Sequence, residues 1–422
     1  MSMPVRHLPV LQNWDCHGCS NCCREYDVPV TDAERQRIEA QGWQRDPEIG
    51  DLPLFVRQGR WSKSYRLFRG DRGCVFLSPD NRCRLHERHG AEAKPLACRL
   101  YPFVLVPAGD HWRVSMRFAC PSAATNQGRP LPQHADEVAQ YAAILEQNEQ
   151  LQGRPLPPPL LQAGQPTTWG DLLRFLQAIL LLMRQPGERL ERRWRRCLAL
   201  AALCRQARFD DVRGGRLDEF LEVVSASLDA DVPADPAAMP APGWVGRMFF
   251  RQILAILARR DRGDLRGPAT RSRWQRFSAG WRFARGTGPV PLVNALLPET
   301  TFEQVELARE PLPADAEAIL ERYYEVKLGA LQFFGAVGFG MPFWDGLEAL
   351  AVTLPAILWL ARAFAERSRE EAVTLAVQLV DDHLGYNRVL GSRRYRMMVS
   401  TLANRGELQR LIGWYSRQAS DC

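Results

Sequence analysis

Residues 14–23 read Trp-Asp-Cys-His-Gly-Cys-Ser-Asn-Cys-Cys and place four thiols, Cys16, Cys19, Cys22 and Cys23, at Cys-x2-Cys-x2-Cys-Cys spacing. Two-residue spacings let a tight loop direct several thiolates at one centre, and such a run is the ligand arrangement of iron–sulfur proteins. A tetrahedral zinc ion more often takes two such cysteines and draws its other ligands from far along the chain. This stretch therefore predicts a metal-binding loop.

Four more cysteines follow within the first 120 residues, namely Cys74, Cys83, Cys98 and Cys120. With the first four they make two full sets of four ligands. Because Cys22 and Cys23 are adjacent, we expect their side chains to diverge and to serve two neighbouring centres, or one cluster and a second role. The alternative for the downstream cysteines is that they are buried as small hydrophobic residues. Cys197 and Cys204, seven residues apart on a predicted helix, have that core spacing.

Composition places the chain in the ordinary globular class and excludes a disordered tail or a small disulfide-stapled toxin. Of its 422 residues 46% are hydrophobic and 24% are charged, and its 11 cysteines are concentrated at one end. The first residues lack the apolar core of a signal peptide, so we expect a cytoplasmic protein in which the cysteines bind metal rather than pair as disulfides. The net charge of +7 is a mild indication of an acidic partner.

The chain divides into three predicted parts: a cysteine-rich metal-binding module over residues 1–124, a Pro- and Gln-rich connector over 125–168 with one short helix at 134–150, and a helical domain over 169–422. Apolar residues at spacings of three and four predict helices in the last part. These cover residues 169–184, 188–208, 217–228, 244–260, 315–334, 346–368, 370–384 and 395–416. In the module we expect short helices and loops, with a small hairpin at 112–118. The predicted fold class is mainly α.

Two uncharged stretches, residues 328–344 and 349–361, raise the question of a membrane span. Each is shorter than a bilayer requires, and Asp345 and Glu348 interrupt the apolar sequence. We expect a buried core hairpin and no membrane span.

The ordered motifs of the module resemble a known family. Cys-x2-Cys-x2-Cys-Cys is followed by Gly-Cys-Val-Phe-Leu, Cys-Arg-Leu-His, Cys-Arg-Leu-Tyr-Pro-Phe and Cys-Pro-Ser-Ala-Ala. Over residues 14–124 this order is similar to the zinc- or iron-chelating CxxCxxCC cysteine-cluster family, to which the flagellin lysine N-methylases belong. Those methylases have a longer spacing between their first cysteines, whereas this chain has the plainer pattern of the broader family.

The resemblance implies a metal site formed by the eight cysteines, with a 4Fe-4S cluster favoured and zinc as the alternative. It also implies a candidate activity, lysine N-methylation with S-adenosylmethionine, on a protein or peptide substrate. His17, His86 and His89 lie in the module as reserve ligands.

The helical domain shows weaker indications of chemistry. The glycines of residues 334–340 follow a helical pattern rather than a strand, which favours close helix packing over a nucleotide-binding turn. Asp381-Asp382-His383 could hold a metal or act as acid and base, but a polar helix end is the better interpretation. Eleven arginines over residues 247–285 are interleaved with Trp274, Phe277 and Trp281. They indicate nucleic-acid binding, an acidic protein partner, or simply the buried face of a helix.

Two functions from different classes follow. The first is an iron–sulfur, or other metal, cysteine-cluster protein that modifies a protein or peptide. The alternative is a non-catalytic accessory or regulatory protein whose module holds structural zinc.

Overall fold

A computed structural model describes residues 2–58, 64–148, 155–259, 273–308 and 312–417. Its strands all lie in the first 130 residues and are two to six residues long. They are β1 (Val5–His7), β2 (Asn13–Trp14), β3 (Pro29–Val30), β4 (Phe55–Arg57), β5 (Tyr65–Leu67), β6 (Arg69–Gly70), β7 (Gly73–Cys74), β8 (Phe103–Ala108), β9 (His111–Met116) and β10 (Arg129–Pro130).

The helices of the same region are short until the connector is reached. They are α1 (Asn21–Glu25), α2 (Asp32–Glu39), α3 (Arg84–His89), α4 (Leu96–Leu100), α5 (Pro121–Ala124) and α6 (Ala135–Asn148). A hairpin is present, but it spans residues 103–116, and the expected residues 112–118 contribute only its second strand. Strands β8 and β9 pair antiparallel, while β1 adds to β9 in parallel. The other small sheets, β3-β5-β4, β10-β2 and β6-β7, were not expected, because strands this short carry too few residues to show an alternating pattern.

The described residues beyond the connector are mainly helical, which confirms a mainly α fold. The helices of this part are α7 (Trp169–Met183), α8 (Leu190–Gln206), α9 (Gly215–Asp231), α10 (Trp244–Leu257), α11 (Arg273–Arg285), α12 (Phe302–Leu307), α13 (Ala314–Gly329), α14 (Phe343–Ala351), α15 (Thr353–Ala363), α16 (Arg369–Asp381), α17 (Arg393–Asn404) and α18 (Glu407–Ser416).

Two helices expected to be continuous are interrupted. Residues 346–368 divide at Val352 into α14 and α15, and residues 395–416 divide at Gly406, whose φ of 66° ends one helix before the next begins. Glycine adopts this left-handed conformation without the steric cost that a Cβ would add.

The residues pack into two hydrophobic clusters of unequal size. The larger one joins the β8–β9 hairpin to the helices and includes Trp112, Phe118 and Trp344. The smaller one lies wholly within residues 30–85, around Trp43 and Phe76. The hairpin between the cysteines is thus part of the same core as the helices, while the division of the chain at residue 124 stays a prediction.

One helical segment, Phe343–Ala363, is long and apolar enough by composition to cross a membrane, with a mean hydropathy of 1.4 over its most apolar window. That window is completely buried inside the protein, where it packs as the core of the helical part. Core helices of this kind pass the same test of length and hydropathy, so the segment is weak support for a membrane span.

Candidate metal centre

Three cysteines form what we term the first thiol group: Cys16, Cys19 and Cys120. Pairing of β2 with β10 brings the loop that begins at Asp15 against the segment that follows α5, where the Asp15 amide donates to the Gln127 carbonyl over 3.1 Å. On the same loop, His17 Nδ1 lies 2.9 Å from Ser122 Oγ. Cys120 directly precedes α5, so these contacts hold the Cys16–Cys19 loop beside it.

The electrostatics of this group agree with its geometry. Burial raises the pKa of Cys120 to about 11, with further contributions from the charges of Cys19 and Cys22. Burial also raises the pKa of Cys19, and Cys22 and Cys16 add to that rise. Because charge interactions weaken with distance, mutual effects of this kind occur between neighbouring thiols.

The second thiol group comprises Cys74, Cys83 and Cys98. Cys74 lies in β7, Cys83 directly precedes α3 and Cys98 lies in α4, and all three pack against the smaller hydrophobic cluster. Burial raises the pKa of Cys74 to about 12, with contributions from Cys83 and Cys22. Burial raises the pKa of Cys98 well above its usual value, and the charges of Cys74, Cys83 and Cys22 add to that rise.

Cys22 and Cys23 lie in α1, between the two thiol groups, and we refer to them as the Cys22–Cys23 pair. Their sulfurs are 4.0 Å apart, so the side chains stay closer together than their adjacency led us to expect. Two effects raise the pKa of Cys22: the contact with Cys23 is the larger, and burial is the second. The charge of Cys22 in turn acts on thiols of both groups, on Cys19 and Cys120 and on Cys74 and Cys98.

Gly73 explains how β7 comes so near to this pair. A Cβ on Gly73 would lie 2.9 Å from the Cys23 carbonyl oxygen and 3.1 Å from Arg24 Cα, and its φ is 114°. Only glycine combines this backbone conformation with so close an approach. Strand β7 therefore places Cys74 next to the Cys22–Cys23 pair.

The donor chemistry of these eight cysteines fits zinc or iron, since thiolate is the ligand that both structural zinc and iron–sulfur clusters take. Across the described ranges, however, no three His, Cys, Asp or Glu side chains are grouped closely enough to hold an ion. Metal binding would therefore draw the thiols of each group together.

The remaining candidates have other contacts or lie elsewhere. His89 packs edge-on against Trp43 with ring centroids 5.5 Å apart, and His86 is exposed. Cys197 and Cys204 are fully buried in the helical core, which confirms their predicted core position. Cys422 lies outside the described residues.

Lys94 is a neighbour of the thiols that the sequence interpretation missed. The charge of Lys94 lowers the pKa of both Cys22 and Cys98. It thus opposes the contact with Cys23, which raises the pKa of Cys22, and the burial that raises the pKa of Cys98. One signal could have found it: the chain has only three lysines, Lys63, Lys94 and Lys327, among 55 basic residues. In so arginine-rich a chain, a lysine beside the cysteines stands out.

Asp381-Asp382-His383 joins the helical part to the cysteine region. Helix α16 ends at Asp381, whose Oδ1 lies 2.5 Å from the fully buried Lys327 Nζ, while Asp381 Oδ2 accepts from the Ala119 amide over 3.2 Å. Asp382 accepts from Arg117 and from Tyr26. His383 Nδ1 contacts the Asn387 amide nitrogen at 2.8 Å. The expectation of a helix end is confirmed, but this end is buried, and its two carboxylates pair with Lys327 and Arg117.

The first 124 residues carry the eight cysteines on short strands, short helices and the loops between them. Residues 15–124 match the model of the family described as "CxxCxxCC: Putative zinc- or iron-chelating domain". The match confirms the resemblance and supports a metal-binding protein.

An uncharacterized protein of Methanocaldococcus jannaschii is 28% identical over 92 residues, which are 21% of this chain and 29% of that protein. The chain thus covers under a third of this relative's length. No solved structure matches the chain.

Proposed function

We propose that the cysteine region binds two metal centres that share the Cys22–Cys23 pair. One centre takes Cys16, Cys19 and Cys120 with one member of the pair, and the other takes Cys74, Cys83 and Cys98 with the other member. The observation that carries this proposal is the position of Cys22, whose charge acts on thiols of both groups. Three plus one ligands on each side complete the two sets of four.

We further propose that both centres are iron–sulfur clusters, of the 4Fe-4S type. The set consists of thiols throughout, and the Cys-x2-Cys-x2-Cys run is the ligand spacing of such clusters. A bound cluster would supply one-electron transfer or hold a substrate or cofactor. Cys120 is buried and Cys74, Cys83 and Cys98 are partly buried, whereas Cys16 and Cys19 are exposed to solvent. Lys94 contributes positive charge opposite the thiolates of Cys22 and Cys98.

Quantification of iron, zinc and acid-labile sulfide in protein purified without oxygen tests both statements. Two clusters predict iron and sulfide in equal amounts, and Cys98→Ser and Cys120→Ser should each remove about half of them. Cys197→Ser, which changes a buried core cysteine, is the matched control and should retain the full content. A Cys98→Ser variant with wild-type iron and sulfide would contradict the division into two sets.

Structural zinc in a non-catalytic accessory protein is the second candidate. The cysteine region is attached to the helical core by the hydrogen bonds of Arg117 with Asp382 and of Lys327 with the Met116 carbonyl. Attachment of this kind is expected where the metal serves stability. Zinc without sulfide, together with loss of folding on chelation, would favour this candidate.

Lysine N-methylation with S-adenosylmethionine, on a protein or peptide substrate, rests on the family resemblance. We propose to test it with metal-loaded protein, S-adenosylmethionine carrying a labelled methyl group and flagellin as the acceptor. Transfer of label that Cys19→Ser abolishes would support the activity. Absence of both cofactor binding and transfer by the fully loaded protein would count against it.

A further inference from the structure

Helix α11 presents three of its four aromatic residues to solvent, contrary to the interpretation of their spacing as a buried helix face. The exposed fractions are 81% for Trp274, 69% for Phe277 and 58% for Trp281, whereas Phe283 is fully buried and anchors the helix. Spacings of three and four residues place the three exposed rings on one side of α11. Large apolar side chains grouped in this way mark interaction surfaces.

Beside these rings lies a groove of about 370 Å³, bounded by α10, α11 and α17. Its walls include Phe277, Trp281 and Met398, and small residues, among them Gly280 and Ala284, line it between them. A Cβ on Gly280 would meet no atom within 4 Å, so the space above this glycine is open. This volume lies in the range of about 300–1,000 Å³ that is typical of ligand pockets.

The charge around the groove has one sign. Arg259 and Arg394 line it, Arg285 lies over the Trp281 ring at 5.7 Å, and no described residue that lines it is acidic. The chain segment that joins α10 to α11, residues 260–272, contains four arginines and two aspartates. By sequence this segment carries a net charge of +2.

From these observations we infer that the groove between α10, α11 and α17 docks an amphipathic helical segment of an acidic partner protein. Apolar side chains of the partner would enter between Phe277, Trp281 and Met398, and its carboxylates would pair with the arginines. Small residues along the groove allow a helix backbone to approach closely. Single-stranded nucleic acid, with its bases stacked on the exposed rings, is the competing class of partner. The apolar, concave lining of the groove favours an inserted protein side chain over a flat nucleic-acid base.

This inference is independent of the proposed metal centres. One variant tests the groove without affecting the metal centres. Gly280→Leu would fill the groove; since Gly280 is helical and nothing lies within 4 Å of an added Cβ, the fold should tolerate it. Gly215→Leu, on α9, also adds a side chain into open space and is the matched control. Neither change should alter the metal content.

A displayed library of random peptides, each about 16 residues and so roughly four helical turns long, provides the probe. We expect selection on the wild-type protein to enrich net-acidic peptides with apolar residues at i, i+3 or i+4, and i+7. Their affinity should fall at least about tenfold, or roughly 1.4 kcal/mol, in Gly280→Leu, fall also in Arg394→Glu, and stay unchanged in Gly215→Leu.

Three outcomes would overturn the inference. Selection could enrich no peptide, or peptides that bind Gly280→Leu as tightly as wild type. A thymidine oligonucleotide could instead bind in a manner that Gly280→Leu and Trp281→Ser abolish, which would assign the surface to single-stranded nucleic acid.

Discussion

Arg117 Nη2 donates to Asp382 Oδ1 over 2.8 Å and joins residues that are 265 positions apart in the chain. Both side chains are at least nine-tenths buried, and the Tyr26 hydroxyl donates to the same carboxylate over 2.9 Å. Arg117 comes three residues before Cys120, and Tyr26 comes three residues after Cys23. One buried carboxylate at the end of α16 thereby orients backbone next to both the first thiol group and the Cys22–Cys23 pair.

Asp382→Asn should therefore destabilise the protein by about 3 kcal/mol, because it leaves the buried Arg117 charge without its carboxylate partner. Urea unfolding of the metal-free protein measures the change. Arg6→Ala, which breaks an exposed pair with Asp110, is the control and should cost under about 1 kcal/mol. Equal unfolding free energies for Asp382→Asn and Arg6→Ala would show that the buried pair has no special weight.

Lys94→Met should weaken metal binding at the second thiol group. Removing the cation raises the cost of forming thiolates at Cys98 and Cys22, so the affinity should fall by about tenfold, or roughly 1.4 kcal/mol. Competition with a chromogenic chelator measures the affinity. Lys94→Arg keeps the charge and should remain near wild type; if both variants lose affinity equally, the effect is one of packing.

Gly73→Ala should both destabilise the protein and reduce its metal content. The new Cβ would meet the Cys23 carbonyl oxygen at 2.9 Å, so β7 must withdraw from the Cys22–Cys23 pair. Gly164→Ala shares a positive φ, 74°, but meets nothing within 4 Å, and should cost only about 1–2 kcal/mol with full metal content. Wild-type metal content in Gly73→Ala would show that this close approach is dispensable.

His7 should make the stability depend on pH between about 4 and 6.5. Burial, assisted by the charges of Arg113, Arg184 and His111, lowers the pKa of His7 to about 4, while the unfolded chain takes up the proton near 6.5. The unfolded state thus binds more protons in this window, and stability is lost as the pH falls through it, by at most about 3 kcal/mol. Its contribution is fully present above pH 6.5.

Unfolding of metal-free wild type and of a His7→Gln variant at pH 7 and at pH 4.5 measures this dependence. Comparing the two proteins removes the acid sensitivity of the carboxylates, which is the same in both. The loss of stability on acidification should be smaller in His7→Gln. An identical loss in both proteins would contradict the assignment to His7.

Local sequence determined much of the secondary structure, because helices and longer strands depend on the pattern of residues close together in the chain. Apolar residues at spacings of three and four predicted the helices from α7 to α10, and alternation at Trp112 and Val114 predicted β9. The Cys16–Cys23 spacing predicted a metal-binding region, which the family match over residues 15–124 supports. The same reasoning placed Cys197 and Cys204 in the core, where both are fully buried.

Only the tertiary structure decided which distant groups meet. The sorting of Cys74, Cys83 and Cys98 apart from Cys120, and the position of the Cys22–Cys23 pair between them, arise from small sheets whose strands are too short to leave a pattern. Exposure of Trp274 and Trp281 was equally hidden, because an apolar spacing is the same whether a face is covered or bare. Spacing along a chain reports local geometry, whereas contacts between Arg117 and Asp382, or between Gly73 and Cys23, depend on how separate elements pack.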